Sequence, residues 1–295
     1  MPAANRAIAE GSSTFAGVHL DGRLLFDRWF DDARWAAATG VGFLTGPGER
    51  SAVRTFEAHP RALPLPSQVD IGPPWHEQGS VEVVRERFDG PAGELADRPP
   101  EQAPSWARSF GQGHFVCSGR GSLLVDASPV RPNPGRTIYS VAWPDPHFAD
   151  LEVTMVPPGR GEWEAGRGGL AFWQDAGTYV VLNLWLDDWE GHDGPSISLF
   201  FSVDGHERLY DAVWTNVGPR VTWGRPFTLR ASCDGRRLLA WLDGEPVLAR
   251  ALRDIHPHVA PMALRRVGLA ANWEWGDDTG TEFRDFVARG RSRRG

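Results

Sequence analysis

Between Trp223 and Arg250 the chain reads WGRPFTLRASCDGRRLLAWLDGEPVLAR, with Asp234-Gly235 joining two apolar runs and a second turn at Asp243-Gly244. Asp-Gly between apolar runs is a strong short-range hairpin signal, because the turns that match strand twist require positive φ. The stretch predicts strands at Pro226–Cys233 and Arg237–Asp243, and it places Cys233 on the apolar register as a buried free thiol. It leaves Asp234 and Asp243 as turn residues. A hairpin needs further strands beside it to become stable.

The rest of the chain supplies them. From Val81 onward, short runs follow one another between turn residues: VEVVRE, HFVCSG, GSLLVDA, TIYSVAW, ADLEVTMV, GGLAFW, TYVVLNLWL, SISLFFSV, ERLYDAVW, RRVGLAAN and TEFRDFVAR. No long amphipathic helix separates them. The 14 Trp and 24 Pro of the 295 residues suit an all-β chain. The pattern predicts an antiparallel two-sheet β-sandwich, and the absence of a repeat argues against a propeller or solenoid.

The domain reading has four parts. Residues 1–14 are expected to be disordered. Residues 15–80 form a small irregular extension ending in a Pro-rich strap, with VHLDGRLLF as a hairpin and FDDARWAAATG as a short helix. Residues 81–290 form the sandwich, and residues 291–295 a solvated basic tail.

Composition excludes several classes. The net charge of −7 argues against nucleic acid, which needs a concentrated cationic footprint. All 31 basic residues are Arg, a pattern of genomic codon bias, as in a bacterial chain, that also removes lysine chemistry. Two cysteines make no disulfide framework. No apolar leader or membrane-length run is present, so the chain as written reads as cytoplasmic, or secreted if a leader was removed. Nucleotide-binding loops, the serine-nucleophile elbow and the HExxH zinc motif are missing, and no cofactor is required.

Two segments carry a resemblance. FDGPAGELADRPPEQAPSW resembles the opening of concanavalin A-like jelly-roll modules, and LRASCDGRRLLAWLDGEPVL, RRVGLAAN and FRDFVARG resemble their closing strands. The likeness covers about residues 81–290. It implies a jelly roll whose concave face holds sugar, in a superfamily that includes lectins, laminin-G-like modules, glycoside hydrolases and polysaccharide lyases. It also implies a structural Ca²⁺ near the first and last strands, where Asp89 and Asp285 are the available carboxylates. The acidic signature of the laminarinase-like hydrolases is absent; the nearest run is Glu162-Trp163-Glu164.

Strand alternation sorts the faces. Val180, Leu182 and Leu184 point inward, as do Ile197, Leu199 and Phe201, and Leu151, Val153 and Met155. If those strands share one sheet, its outer face presents Glu152, Trp173, Asn183, Trp185, Asp187, Asn272 and Glu274. Trp173, Trp185 and Trp189 would stack on sugar rings while Asn183 and Asn272 bond hydroxyls. Cleavage by hydrolysis or β-elimination would draw on Glu152, Asp187 and Glu274, with His192 as proton carrier. Binding without cleavage, as a lectin-like or protein-interaction module, is the alternative.

Overall fold

The computed structural model describes residues 5–10, 13–20, 23–30, 78–98, 104–126, 135–157, 168–185, 196–207, 213–216, 221–222, 224–252, 261–273 and 281–291. The expected helix over FDDARWAAATG and most of the Pro-rich strap lie outside these residues.

At the N-terminus β1 (Asn5–Glu10), β2 (Ser13–Leu20) and β3 (Arg23–Phe30) pair into an antiparallel sheet. β2 pairs β3 with Leu20 opposite Arg23, and β1 pairs β2 with Asn5 opposite Val18, while Asp21 and Gly22 lie outside the described residues.

The remaining strands form two antiparallel sheets. One has nine strands, in the order β18 (Glu245–Ala251), β17 (Arg237–Leu242), β16 (Phe227–Cys233), β10 (Ala149–Val156), β20 (Glu282–Gly290), β8 (Leu123–Asp126), β7 (His114–Cys117) and β5 (Gly93–Glu94), with β4 (Val81–Glu86) also on β20. The other has eight, in the order β14 (His206–Glu207), β13 (Ser196–Val203), β12 (Thr178–Trp185), β11 (Gly168–Asp175), β19 (Arg266–Trp273), β9 (Gly135–Ala142) and β6 (Ala107–Phe110), with β15 (Val213–Asn216) also on β13. β3 of the N-terminal sheet lies against β15. A 3₁₀ turn spans Leu95–Asp97.

Period-two alternation builds the core between the sheets. Leu151, Val153 and Met155 from one sheet meet Val180, Leu182, Leu184, Ile197, Leu199, Phe201, Leu170, Phe172, Val267 and Leu269 from the other, and all are buried. Each such aliphatic or aromatic side chain contributes about 1.5–3 kcal/mol by leaving water. The hairpin that opens the sequence reading is built as expected. Asp243 and Gly244 sit at φ 48° and 83°, the conformation of a type I′ turn. Asp234 Oδ1 accepts the Arg236 and Arg237 N–H groups at 2.9 and 2.7 Å, and Asp243 Oδ1 accepts from Thr228 N at 2.7 Å. The Asp234 carboxylate is therefore committed to its turn and that of Asp243 to the neighbouring strand β16.

Polar groups on the outer face of the nine-stranded sheet are held by ion pairs. Asp150, fully buried, takes a bidentate pair from Arg230 at 2.9 and 2.7 Å and the Gly79 N–H at 2.6 Å. Replacing Asp150 by Asn leaves a withdrawn guanidinium without its anion, so Asp150→Asn should cost about 3 kcal/mol, read as a lowered denaturation midpoint. Cys117 and Cys233 are both free and buried, and burial pushes the Cys233 thiol up to about 12. A thiol reagent at pH 8 should therefore leave both unmodified in the native protein and label both after unfolding.

Candidate functional site

The outer face of the eight-stranded sheet can be laid out from its register. Trp173 on β11 stands opposite Tyr179 on β12 and Arg266 on β19; Gly169 stands opposite Asn183 and Ala270; Ala171 stands opposite Val181 and Gly268. Asn183 faces Ser198 on β13, and Tyr179 faces Ser202. Trp185 is paired with Ser196, and Asn272 with Arg136 on β9. Four of the expected binding positions, Trp173, Asn183, Trp185 and Asn272, thus share one sheet.

Glu152 does not join them. Its strand, β10, pairs with β16 and β20, so it belongs to the opposite sheet and points away from this face. Its carboxylate lies 3.0 Å from Arg289 Nη2 and 4.0 Å from Arg230 Nε. Glu152 is a member of the ion-paired outer surface of the nine-stranded sheet, which corrects the expectation that it lines a site with Trp173. Asp187, Trp189, His192 and Glu274 lie outside the described residues.

The floor of the face is made of small residues. Gly169, Ala171, Gly268 and Ala270 occupy the two central strands, and the backbone packs so closely there that a Cβ on Gly169 would lie 1.8 Å from the Leu182 carbonyl oxygen. Bulky side chains stand around this floor, and the sheet curves enough for them to meet. Arg136 on β9 places its guanidinium 4.6 Å from the centroid of Phe200 on β13, four strands away. In a flat sheet those strands would be about 19 Å apart. Phe110 on β6 likewise reaches Tyr179, with centroids 5.3 Å apart, and Trp173, at 6.4 Å. The face is concave.

It is also closed. Trp173 and Tyr179 stack at 5.2 Å and 8°, yet Trp173 is only 6 % exposed and Asn183 only 1 %. The open Trp platform expected from alternation is therefore absent at Trp173. Among the described rings of this face, the one that meets solvent is Phe110, at 37 %. It reaches this position through a β-bulge: the register to β9 shifts between Arg108 and Phe110, so consecutive residues Ser109 and Phe110 both serve the outer face. Ser109 Oγ lies 2.6 Å from Ser140 Oγ while Phe110 packs on the Trp173–Tyr179 pair.

The polar groups of the face are an amide, hydroxyls and guanidiniums. Asn183 Nδ2 is buried with no hydrogen-bond partner among the described residues. Burial pushes the Tyr179 phenol above its ordinary range, opposed by the Arg136 charge and a Ser202 hydrogen bond. Arg266 donates through Nε to Ser140 Oγ at 2.7 Å and through Nη2 to the Ser140 carbonyl at 2.6 Å. The residues that register sets beside Trp173, Tyr179 and Asn183 carry no carboxylate, and Glu207 stands opposite Ser202 at the β14 edge. The arrangement can stack on a ring and bond hydroxyls.

A second polar cluster joins the two sheets. Glu94 on β5 accepts from the Tyr139 hydroxyl of β9 and lies 2.8 Å from His114 Nδ1 on β7. Burial, followed by the bond to Glu94, pushes the Tyr139 phenol well above its ordinary range. Tyr139 is fully buried and stacked 4.7 Å from Phe115, so the cluster acts as a latch within the sandwich. No local spacing in the sequence marks it, since Glu94 lies between Pro and Gly residues in FDGPAGELADRPPEQAPSW rather than in one of the apolar runs.

The Asp285 carboxylate, expected beside a structural Ca²⁺, takes Arg85 Nη1 at 2.7 Å, and the Asp89 carbonyl accepts from Arg98. Among the described residues no group of three or more His, Cys, Asp or Glu side chains is placed to hold a metal ion. No described helix is long and apolar enough to cross a membrane.

No family model matches the chain, and no curated protein matches it. Solved structures do. The carbohydrate binding module CBM66 from Bacillus subtilis is 17% identical, with a TM-score of 0.42, over 63% of this chain and 96% of its own. A Bacillus subtilis protein of unknown function with a galectin-like fold is 13% identical, with a TM-score of 0.47, over 73% and 99%. A glycosyl hydrolase family 16 protein from Mycobacterium smegmatis is 14% identical, with a TM-score of 0.44, over 70% and 100%. At TM-scores below 0.5 these likenesses assign no role to any residue of this chain.

Proposed function

We propose that this protein binds a carbohydrate or glycoside on the concave outer face of the eight-stranded sheet, and that binding rather than cleavage is its task. The observation that carries this is Asn183, on the same face of β12 as Tyr179 and four residues along the strand from it, whose Nδ2 lies buried with no acceptor among the described residues. An unmade hydrogen bond at such a site costs about 1–3 kcal/mol, which a sugar hydroxyl would return. The neighbouring rings suit the C–H face of a pyranose. Glycoside cleavage by the usual route requires two carboxyl groups about one bond, and the described residues paired with Trp173, Tyr179 and Asn183 supply none.

A second reading has its own support. The burial of Trp173 and Tyr179 suits a face that serves packing, with the exposed Phe110 as the edge of a protein-interaction surface.

A glycan array followed by calorimetry separates the two. Under the sugar reading at least one glycan binds, Phe110→Ala weakens it about tenfold by removing the ring a ligand meets first, and Asn183→Leu abolishes it. Asn183→Leu should meanwhile hold or raise the melting temperature, because it removes an unsatisfied buried donor. An array on which no glycan is retained overturns the sugar reading. Release of new reducing ends or unsaturated sugars would instead make the protein an enzyme.

A further inference from the structure

Three arginines withdrawn from solvent elsewhere on the sandwich come with anions. Arg98 holds Glu86 at 2.8 Å, Arg230 holds Asp150 at 2.7 Å, and Arg289 holds Glu152 at 3.0 Å. Arg266 is also partly buried, and it forms no ion pair among the described residues. Burial alone lowers its pKa, with no nearby carboxylate opposing the shift. An arginine keeps its charge even so, which leaves a fixed positive centre in a protein of net charge −7.

Its geometry is set. Nε and one Nη2 proton are taken by Ser140, whose hydroxyl is itself tied to Ser109 beside Phe110. The side chain is thereby held on two points, and the Nη1 protons and the second Nη2 proton remain at the outer end of the guanidinium. That end is a two-pronged donor of the spacing that a carboxylate accepts. Arg266 stands opposite Trp173 in register, at the aromatic corner of the concave face.

We propose that Arg266 is an anion-recognition residue and that the ligand of this face is an acidic saccharide, with its carboxylate on the outer end of the Arg266 guanidinium and its ring against Phe110. The proposal rests on the carbohydrate reading and narrows it to a charged class. The preorganised guanidinium has already borne its desolvation in the folded protein, so a carboxylate gains a charge-assisted pair with little further ordering.

The test compares polygalacturonate, alginate and hyaluronan, each with its own methyl ester, by calorimetry on the full chain. Esterification keeps the sugar and removes the charge. The wild type should bind at least one free acid tenfold or more tightly than its ester, and Arg266→Gln should bring the acid and its ester to equal affinity. Circular dichroism checks that the variant is folded, and the comparison of acid with ester on the wild type stands without it. If every acid binds no better than its ester, or Arg266→Gln weakens both equally, the proposal fails while sugar binding stands. Loss of all binding, with neutral glycans on the array also unbound, would remove the carbohydrate reading itself.

Discussion

Burial of one face of every strand between the two sheets is the interaction on which everything else in this protein depends. Because side chains alternate along a strand, committing Val180, Leu182 and Leu184 to the core fixes Tyr179, Val181 and Asn183 on the outside. The core thus decides which residues a ligand can meet before any ligand is considered. Curvature decides the rest. The small floor of Gly169, Ala171, Gly268 and Ala270 lets the outer side chains lean inward until Phe110 and Arg136 touch residues four strands away.

The two outer faces resolve their polar groups differently. On the nine-stranded sheet Asp150, Glu152, Arg230 and Arg289 form a closed set of pairs, with the Arg230 guanidinium also 5.4 Å from the Trp241 ring. The charges of that surface are paired, although Arg289 Nη1 is buried without a hydrogen-bond partner among the described residues. On the eight-stranded sheet the described cationic groups meet hydroxyls, a carbonyl and an aromatic ring, and the Asn183 amide keeps an unmet donor. A folded chain tolerates such unmet groups at a cost of the order of a kcal/mol each, a size that function can justify and packing does not.

Local features were legible in the sequence. The Asp234-Gly235 and Asp243-Gly244 turns, the inward phase of Leu151, Val153 and Met155, and the burial of Cys233 all follow from neighbours within a few residues. Sheet membership was not, since it depends on pairing between distant strands. Glu152 has the same in-out phase as Asn183, but β10 and β12 joined different sheets. Phe110 was hidden for another reason. The bulge at Ser109 adds one residue to the alternation, and strict period-two counting in ARSF cannot put Ser109 and Phe110 on one side. Glu94, Tyr139 and His114 converge from strands that are separate in sequence, where no local spacing announces them.

The charge of Arg266 has a kinetic consequence. A protein of net charge −7 repels an anion at long range, across the Debye length of about 10 Å in ordinary buffer, while the guanidinium attracts it only at contact. Ions in solution screen the first effect before the second. Association with an acidic ligand would then quicken as salt is first added, the reverse of the behaviour of a surface that steers its ligand by bulk charge.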